Sequence, residues 1–412
     1  PGTPPPPSLN PTDLMLVNDL DMRIHNETTT FFPYILDPAN PGEPATTGDN
    51  FRDNVEQILV DSPEAGTFYT LSIGHKNNLA DEEQNFSLII TGVEPVTSFV
   101  GGPEDDWNDP ENWTHGVPGN DANIILTGGS ELIIDDDVLS FANMYIAQDA
   151  KLTLGQNASL TIEGTLVIGE AEGAKGDAIV LKASETGSAS LIHNTAGVTA
   201  EVQYHLNGTP GAWQQISPPV EAQELNGAFG ENGIFFAWHE PLQTWVNSQN
   251  NSYFPAWEDA NQSKTALVPL QGYMAAWDDA KNKKSFSGLL NTGDYTFPLT
   301  NLAHPEDGFA GYNLMGNPYP SYIDWKENAG WSGRELLEQD GENGYSIWTW
   351  EAESRNYGAY NAASALDRGT LSASRYLKPA QGFWIRTNEG TVSGTVTINN
   401  SARTHTRPDE EK

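Results

Sequence analysis

Five acidic side chains near the start of the chain could bind a hard cation through their oxygens. They are Asp19, Asp21, Asp49, Asp53 and Glu56. Calcium binds preferentially to carboxylate and carbonyl oxygens, and alternation along a strand places Asp19 and Asp21 on the same face. The spacing therefore predicts a Ca²⁺ site, and calcium is the cofactor that we expect.

The same residues allow a structural interpretation without a metal. Asn18 and Asp19 would cap turns, and the later acidic residues would form ion pairs with neighbouring arginines. A second acidic run, at residues 135–137, is a weaker calcium candidate and is more simply explained as a solvated turn. Both interpretations of the acidic residues stay open at this point.

Motifs of known hydrolytic sites are absent from the sequence. A subtilisin-type protease needs an Asp, a His followed by Gly-Thr and a Ser preceded by Gly-Thr, because an oriented imidazole must deprotonate the hydroxyl. This chain contains His115-Gly-Val instead, and its other histidines are scattered singly. Acidic pairs are too numerous to single out two carboxylates for glycoside hydrolysis. We therefore expect no catalytic residue and no enzymatic activity in this chain.

Aromatic side chains offer a second kind of chemistry, the packing of sugar rings on indole faces. Ten of the twelve tryptophans follow residue 200, in a region that is internally repeated. Four of them have no counterpart in the repeat, and we expect these to be exposed and to bind a ligand: Trp257, Trp277, Trp325 and Trp331. Repeated tryptophans such as Trp238 and Trp350 are better explained as the core of each repeat.

The charge of the chain excludes whole classes of partner. Its 412 residues contain 56 Asp and Glu against 20 Lys and Arg, a net charge of −36. Such a surplus opposes contact with phosphate backbones, so nucleic acid is not an expected partner. No apolar run is long enough for a transmembrane helix, and the absence of cysteine excludes disulfides and thiolate metal sites. An acidic surface of this kind is typical of a protein in a saline exterior.

Residues 1–97 show the short alternating runs of a β-sandwich. Strands are expected at residues 14–24, 55–60, 68–74 and 86–91, with turn-forming residues between them. Five motifs in this region occur in a fixed order: Leu16-Val-Asn-Asp-Leu-Asp-Met-Arg-Ile24, Gly48-Asp-Asn50, Asp53-Asn-Val-Glu-Gln57, Pro63-Glu-Ala-Gly-Thr67 and Gln84-Asn-Phe-Ser-Leu-Ile-Ile90.

With these motifs the region resembles the jelly-roll domain that follows the catalytic domain of subtilisin-like serine proteases. The resemblance implies a jelly roll of the kind that often binds calcium in those proteases. In that family the domain begins one strand earlier, so the resemblance also implies that the first strand precedes Pro1. Another segment or another chain would then have to pair with the open edge.

Residues 98–200 contain eight short strand-like runs separated by turns. They lie at residues 122–126, 131–134, 144–147, 152–154, 160–162, 166–168, 178–181 and 190–193. Brief strands at regular spacing are typical of a right-handed parallel β-helix, with an antiparallel meander as the alternative. The opening Trp107-Asn-Asp-Pro-Glu-Asn-Trp113 resembles the entry to such helices in secreted proteins of Bacteroidetes-type bacteria.

Residues 201–407 contain an internal duplication. Trp213-Gln-Gln-Ile-Ser-Pro-Pro219 aligns with Tyr312-Asn-Leu-Met-Gly-Asn-Pro318, and Gln271-Gly-Tyr273 aligns with Gln381-Gly-Phe383. Two homologous β-sandwich halves are the simplest structure. With Gly311 to Ser321 and Gln381 to Trp384, the second copy also resembles a module near the C-termini of proteins exported by the type IX secretion system, which implies export by that route.

We therefore predict an all-β protein with a jelly-roll sandwich, a short parallel β-helix and a duplicated β-sandwich. The expected domains are residues 1–97, 98–200, 201–300 and 301–407, followed by a polar tail at residues 408–412. This order of modules, more than any single motif, determines the functional prediction.

The predicted function is that of a non-catalytic accessory region that stabilises a secreted subtilisin-like protease and engages protein or polysaccharide substrates. Its expected partner is the protease catalytic domain, or another chain that supplies a strand to the jelly roll. One alternative is an extracellular structural or adhesive surface protein that assembles by strand complementation. A second alternative is a carbohydrate-binding module of a polysaccharide-degrading system. All three imply a secreted or cell-surface location.

Overall fold

A computed structural model describes most of the chain and divides it into two compact units, residues 1–94 and 95–412. The described residues are 14, 16–26, 28–64, 69–93, 96–169, 178–225, 233–250, 252–261, 263–277, 283–302, 308–340, 344–364 and 367–408. Nearly all regular elements in these segments are strands, which confirms the all-β class. No helix in the described segments is long and apolar enough to cross a membrane. The finer domain boundaries at residues 200 and 300 stay predictions.

The first unit contains a small antiparallel sheet and a separate ribbon. Its strands are β1 (Asp19–His25), β2 (Thr30–Phe31), β3 (Tyr34–Ile35), β4 (Thr46–Thr47) and β5 (Thr70–Lys76). β1 lies between β2 and β5, while β3 and β4 pair with each other. β1 and β5 pair along their full length, with Asp19 opposite Lys76. These two strands correspond to the runs predicted at residues 14–24 and 68–74.

The other two predicted strands of this unit, at residues 55–60 and 86–91, are not strands in the structure. Their apolar side chains are exposed, including Val55 at 71% and Ile89 at 87%. Alternation favours an extended backbone, but a strand also needs a paired neighbour, and no described strand pairs with either segment. The jelly-roll assignment of the first unit stays a prediction.

The second unit begins with eleven short strands. They are β6 (Val96–Phe99), β7 (Asn123–Leu126), β8 (Glu131–Ile134), β9 (Val138–Phe141), β10 (Asn143–Ile146), β11 (Lys151–Leu154), β12 (Ser159–Ile162), β13 (Leu166–Ile168), β14 (Ile179–Leu181), β15 (Ser190–Ile192) and β16 (Thr199–His205). They form three parallel sheets, β6-β7-β10-β13, β8-β11-β14-β16 and β9-β12-β15. Successive turns of the chain add a strand to each face in order, so the β-helix is confirmed and the antiparallel meander is wrong.

Stacked apolar side chains fill the β-helix. Ile124, Met144 and Leu166 occupy paired positions on three successive turns, and all three are buried. Parallel strands in register place such side chains directly above one another. The entry motif packs on the same core, because the Trp113 ring lies 5.1 Å from the Phe99 ring.

Residues 207–404 form the two halves of the sandwich. The first half contains β17 (Gln214–Ile216), β18 (Gln223–Glu224), β19 (Gly233–His239), β20 (Thr244–Asn247), helix α1 (Trp257–Asn261), β21 (Ala266–Leu267), β22 (Tyr273–Trp277) and β23 (Lys283–Leu289). The second half contains β24 (Tyr295–Thr300), β25 (Tyr312–Gly316), β26 (Tyr322–Asp324), β27 (Trp331–Ser332), β28 (Ser346–Glu351), β29 (Asn356–Asn361), β30 (Tyr376–Leu377), β31 (Gly382–Arg386), β32 (Ser393–Ile398) and β33 (Arg403–Thr404). β16 pairs with β23 and so joins the β-helix to the first half.

The two halves have the same topology, which confirms the duplication. The main sheet of the first half has the order β17-β22-β19-β20, and that of the second half has the order β25-β31-β28-β29. The register agrees as well, because Ile216 lies opposite Tyr273 and Met315 lies opposite Phe383. These are the positions that the sequence alignment makes equivalent.

Reciprocal contacts relate the halves by an approximate twofold axis, called the pseudo-dyad below. The Ser217 N–H donates to the Ala380 carbonyl at 3.0 Å, and the Gly316 N–H donates to the Leu270 carbonyl at 2.9 Å. Leu270 and Ala380 are equivalent, and both adopt the left-handed conformation, with φ of 67° and 61°. Leu270 joins the apolar core of the second half, whereas Ala380 joins the core shared by the β-helix and the first half.

Candidate functional site

Three of the five predicted calcium ligands lie together in the first unit, Asp19 and Asp21 on β1 and Asp49 in the loop after β4, and they bind a lysine. The Lys76 ammonium lies 3.3 Å from Asp19 Oδ2, 3.3 Å from Asp21 Oδ1 and 2.7 Å from Asp49 Oδ1. Partial burial opposes the charge on Lys76, but its bonds to these carboxylates raise the pKa of the ammonium above its ordinary value. Strand alternation therefore brought Asp19 and Asp21 to one face, as predicted.

Arginine supplies the second cation of this cluster. Arg23 Nη2 lies 3.1 Å from Asp21 Oδ1 and 2.8 Å from Asp49 Oδ1. Asp53 and Glu56 were expected to pair with Arg23 or Arg52. Arg23 binds Asp21 and Asp49 instead, and pairing with Arg52 stays a prediction.

The remaining two predicted ligands are placed differently. Asp53 is exposed and outside the ion-pair network. Glu56 is half-buried, and its carboxylate accepts a hydrogen bond from the Met22 N–H. Burial raises the pKa of Glu56, and the charges of Asp21 and Asp19 raise it further. In the described part of the chain, no group of three or more acidic or histidine side chains has the geometry of a metal site. Calcium therefore stays a prediction.

The weaker acidic candidate, residues 135–137, forms a turn between β8 and β9. Asp136 accepts a hydrogen bond from Asn157 at 2.9 Å, and Asp137 accepts one from the Trp107 indole at 2.8 Å. The turn interpretation accounts for these side chains. β9 directly follows the turn and begins with the exposed Val138, so the sequence pattern did not predict a strand there.

The four tryptophans that were predicted to bind a ligand are buried, so the prediction that they are exposed is wrong. Trp257 and Trp325 are 0% exposed, Trp277 is 2% exposed and Trp331 is 7% exposed. The rings of Trp325 and Trp331 lie 4.7 Å apart. Trp257 and Trp277 belong to the core shared by the β-helix and the first half, and Trp325 and Trp331 belong to the core of the second half. A ring buried in this way has no face for a sugar.

The repeated tryptophans join the halves instead of filling their cores. The Trp238 indole N–H donates to the Tyr312 carbonyl at 2.9 Å, and the Trp350 indole N–H donates to the Trp213 carbonyl at 2.7 Å. Since Trp238 is equivalent to Trp350 and Tyr312 to Trp213, the two bonds are related by the pseudo-dyad. Both indoles are half-buried, so the core interpretation of this pair is wrong.

A cleft of about 1520 Å³ opens where the β-helix and the two halves meet within the second unit. Five amide side chains line it: Asn157, Asn207, Gln214, Gln215 and Gln381. Hydroxyl side chains of residues 184, 186, 372 and 374 add further polar groups, and Tyr204 and Trp350 contribute aromatic rings. The lining therefore combines many neutral hydrogen-bonding groups with a few aromatic faces and with charged side chains of both signs.

The sequence analysis did not predict this cleft, and Gln215 and Lys378 are among the lining residues that it missed. The aligned motifs place Leu314 at the position of Gln215 and Val268 at the position of Lys378. This contrast between the halves was readable in the sequence, but it points to a site only once both positions are known to lie on one cleft.

Comparison with known families gives one match. A family described as a domain of unknown function (DUF8693) matches residues 98–411. The match begins near the start of the second unit and covers the β-helix and both halves of the sandwich, which therefore form one family module. No curated protein and no solved structure matches the chain.

Proposed function

The chain belongs to the family described as a domain of unknown function (DUF8693), and we propose that it is a non-catalytic binding protein whose cleft holds a carbohydrate. The observation that carries the proposal is the polar and aromatic lining of the cleft. Its volume of about 1520 Å³ exceeds the roughly 300 to 1,000 Å³ of small-molecule pockets. An extended oligosaccharide fits such a space better than a compact metabolite.

The lining chemistry supports a sugar ligand. Sugars carry hydroxyl groups on most carbons, and amide side chains can both donate to and accept from a hydroxyl. The C–H face of a pyranose packs on an aromatic ring as other apolar surfaces do. Gln381 and Asn207 supply groups of the first kind, and Trp350 supplies a ring of the second kind.

The charge of the chain restricts the sugar. A net charge of −36 repels densely anionic polymers over distances comparable to the screening length. The proposal is therefore directed at neutral or sparsely charged glycans, and not at heavily sulfated or polyuronate chains.

The first experiment is a glycan array with neutral and acidic oligosaccharides from plant, algal and bacterial walls. The best ligand is then titrated calorimetrically against the wild type, Trp350→Phe and Trp238→Phe. The two substitutions remove equivalent hydrogen bonds at the pseudo-dyad, but only Trp350 lines the cleft. Trp238→Phe is therefore a matched control for any general loss of packing.

We expect Trp350→Phe to weaken glycan binding about fivefold and Trp238→Phe to leave it within twofold of the wild type. Absence of binding to every glycan on the array would overturn the proposal. Equal weakening by both substitutions would also contradict it, because the effect would then come from the pseudo-dyad and not from the cleft.

A second candidate function is supported by the first unit. Phe86, Leu88, Ile89 and Ile90 are all exposed, at 43% to 87%. Exposed apolar side chains next to one another favour docking of another protein surface. Together with the ordered motifs of this unit, they support an accessory role in which the unit packs on a subtilisin-like catalytic domain and stabilises it. The resemblance of the second half supports export by a type IX-like system to the exterior or the cell surface.

Co-purification with a subtilisin-like catalytic domain encoded in the same or a neighbouring gene tests this role. Ile89→Asp should abolish the association, whereas Val392→Asp, which alters an exposed apolar residue of the second unit, should leave it intact. Concentration-dependent oligomers that are lost in Ile89→Asp would favour the adhesive alternative instead. No bound protease and no such gene would contradict the accessory role.

A further inference from the structure

Two polar side chains in the cleft stand where the other half of the sandwich has aliphatic ones. Gln215 lies opposite Met274, and Leu314 lies opposite the equivalent Trp384. In the same way, Val268-Pro-Leu-Gln-Gly272 aligns with Lys378-Pro-Ala-Gln-Gly382. The duplicated fold therefore forms with a leucine and a valine at these two positions.

Gln215 has an unpaired donor. It is 3% exposed, and its Oε1 accepts a hydrogen bond from the backbone N–H of Trp350 at 2.9 Å. Its Nε2 is buried and has no hydrogen-bond partner among the described residues. A buried amide N–H without a partner costs about 1 to 3 kcal/mol. A hydrogen-bond acceptor from a ligand would remove this cost, since the described residues provide none.

Lys378 has a charge without an ionic partner on the same cleft. Its ammonium lies 4.7 Å from the centre of the Tyr204 ring, and no described acidic residue forms an ion pair with it. The Tyr204 hydroxyl in turn donates to the backbone carbonyl of Gln215 at 3.3 Å, so Tyr204 contacts both residues. Burial lowers the pKa of Lys378 to about 8, so the side chain is mostly protonated at neutral pH.

We propose that Lys378 and Gln215 form a subsite for the carboxylate of an acidic sugar within the glycan. A carboxylate has two acceptor oxygens, and the subsite has two donors, an ammonium and an amide N–H, that lack acceptors. Charge-assisted bonds of this kind are the strongest that a neutral or cationic donor can make. The inference rests on the proposed carbohydrate function and names the feature of the sugar that the cleft selects.

The rest of the cleft limits how many charges the ligand carries. Five acidic residues and three basic residues line it, and Asp367 among the acidic ones is neutralised by Arg375 at 2.8 Å. A polymer with a carboxylate on every sugar would meet repulsion along this lining. A mainly neutral chain with an isolated uronate would place its one carboxylate at Lys378 and avoid most of this repulsion.

The experiment uses methyl β-D-glucuronoside and methyl β-D-glucoside as probes of the full chain. The two differ only at C6, which is a carboxylate in the first and a hydroxymethyl group in the second. Binding is measured by saturation-transfer NMR and by titration at pH 7. The variants are Lys378→Val and Gln215→Leu, which install the side chains of the other half. Lys264→Met, which removes an exposed lysine paired with Glu258, is the control.

We expect the wild type to bind the glucuronoside at least about tenfold more tightly than the glucoside. Lys378→Val should remove this preference, Gln215→Leu should reduce it, and Lys264→Met should retain it. Thermal melting verifies that each variant folds, and Lys378→Val should melt no lower than the wild type.

Equal binding of the two glycosides by the wild type, or an unchanged preference in Lys378→Val, would overturn the subsite. The array result is independent of this outcome. Binding of neutral glycans without a preference for a uronate would overturn the subsite but not the carbohydrate function. Absence of binding to every glycan on the array would overturn the carbohydrate function itself.

Discussion

The two halves of the sandwich are built alike at the pseudo-dyad and differently at the cleft. At the pseudo-dyad, Trp238 and Trp350 make equivalent bonds to the opposite half. At the cleft, Gln215 and Lys378 stand where the other half has Leu314 and Val268. A side chain kept in both halves is one that the fold itself needs. A costly polar side chain present in only one half is a candidate for function.

The largest expected effect tests how closely the halves approach at the pseudo-dyad. Gly272 and Gly382 are equivalent, but a Cβ on Gly272 would lie 2.3 Å from the Met315 carbonyl oxygen, and one on Gly382 would lie no closer than 3.1 Å to Gln215. We expect Gly272→Ala to cost about 3 kcal/mol of unfolding free energy and Gly382→Ala about 1 kcal/mol. Urea unfolding measures both. Equal costs would mean that the pseudo-dyad is more symmetric than the structure indicates.

The next effect concerns an ion network of the second half that has no counterpart among the described residues of the first half. Arg375 binds Asp324 at 2.5 Å and Asp367 at 2.8 Å, and Asp324 is 9% exposed. The aligned residue in the first half is Thr265, which is exposed. Arg375→Met should cost about 3 kcal/mol, because it leaves a buried carboxylate without its partner. Thr265→Met, the matched control, should change the melting temperature little. A similar fall of the melting temperature in both variants would contradict this difference between the halves.

Lys378→Val should raise stability at neutral pH, because valine is the side chain that the first half has at this position. The pKa of Lys378 is lowered to about 8 from 10.5. Between these values the unfolded chain keeps the proton that the folded chain has lost, so the contribution of Lys378 to stability rises with pH. Below pH 8 Lys378 is protonated in both the folded and the unfolded chain, so the full free-energy cost of burying its charge lowers the stability.

Melting of the wild type and Lys378→Val from pH 7 to pH 10.5 measures this effect. The variant should melt about 2 to 4 °C higher at pH 7, and the difference should disappear by pH 10.5. A difference that does not change with pH would show that packing, and not the charge, separates the two side chains.

The smallest effect comes from the exposed ion cluster of the first unit, which sharpens the contrast with the buried network of Arg375. The side chains of Lys76 and Asp49 are 32% and 48% exposed, and such pairs contribute about 1 kcal/mol or less. We expect Lys76→Met to cost about that amount and added Ca²⁺ to restore part of it, since the freed carboxylates can then bind the ion. A melting temperature of the wild type that falls in EDTA would show that calcium, and not Lys76 alone, neutralises them.

Local patterns were sufficient for most of the β-helix. All eight predicted runs became strands, because each has its own alternation and its own turn residues. Three of the eleven strands, β6, β9 and β16, were missed, and β9 follows an acidic turn and begins with an exposed valine. Residues 55–60 and 86–91 carry equally clear alternation, yet they lack a described strand partner, so local pattern alone did not decide their structure.

The aromatic residues show the limit of this reasoning. Alignment correctly identified Trp238 and Trp350 as equivalent, but it could not tell whether an equivalent ring packs inside its own half or against the other. Trp257 and Trp325 have no equivalents, and each is completely buried. Of the five carboxylates that were expected to converge, those of Asp19, Asp21 and Asp49 lie together. The cations that neutralise them are the side chains of Lys76 and Arg23.

The sequence by itself determined the all-β class, the rungs of the β-helix and the presence of two related halves. These depend on turn chemistry and on alternation between residues that are close along the chain. Only the tertiary structure decided which rings are buried, which cations meet the acidic cluster and that Gln215 and Lys378 share a cleft. Burial and unpaired polar groups arise where distant surfaces meet, and no local pattern records which surfaces those are.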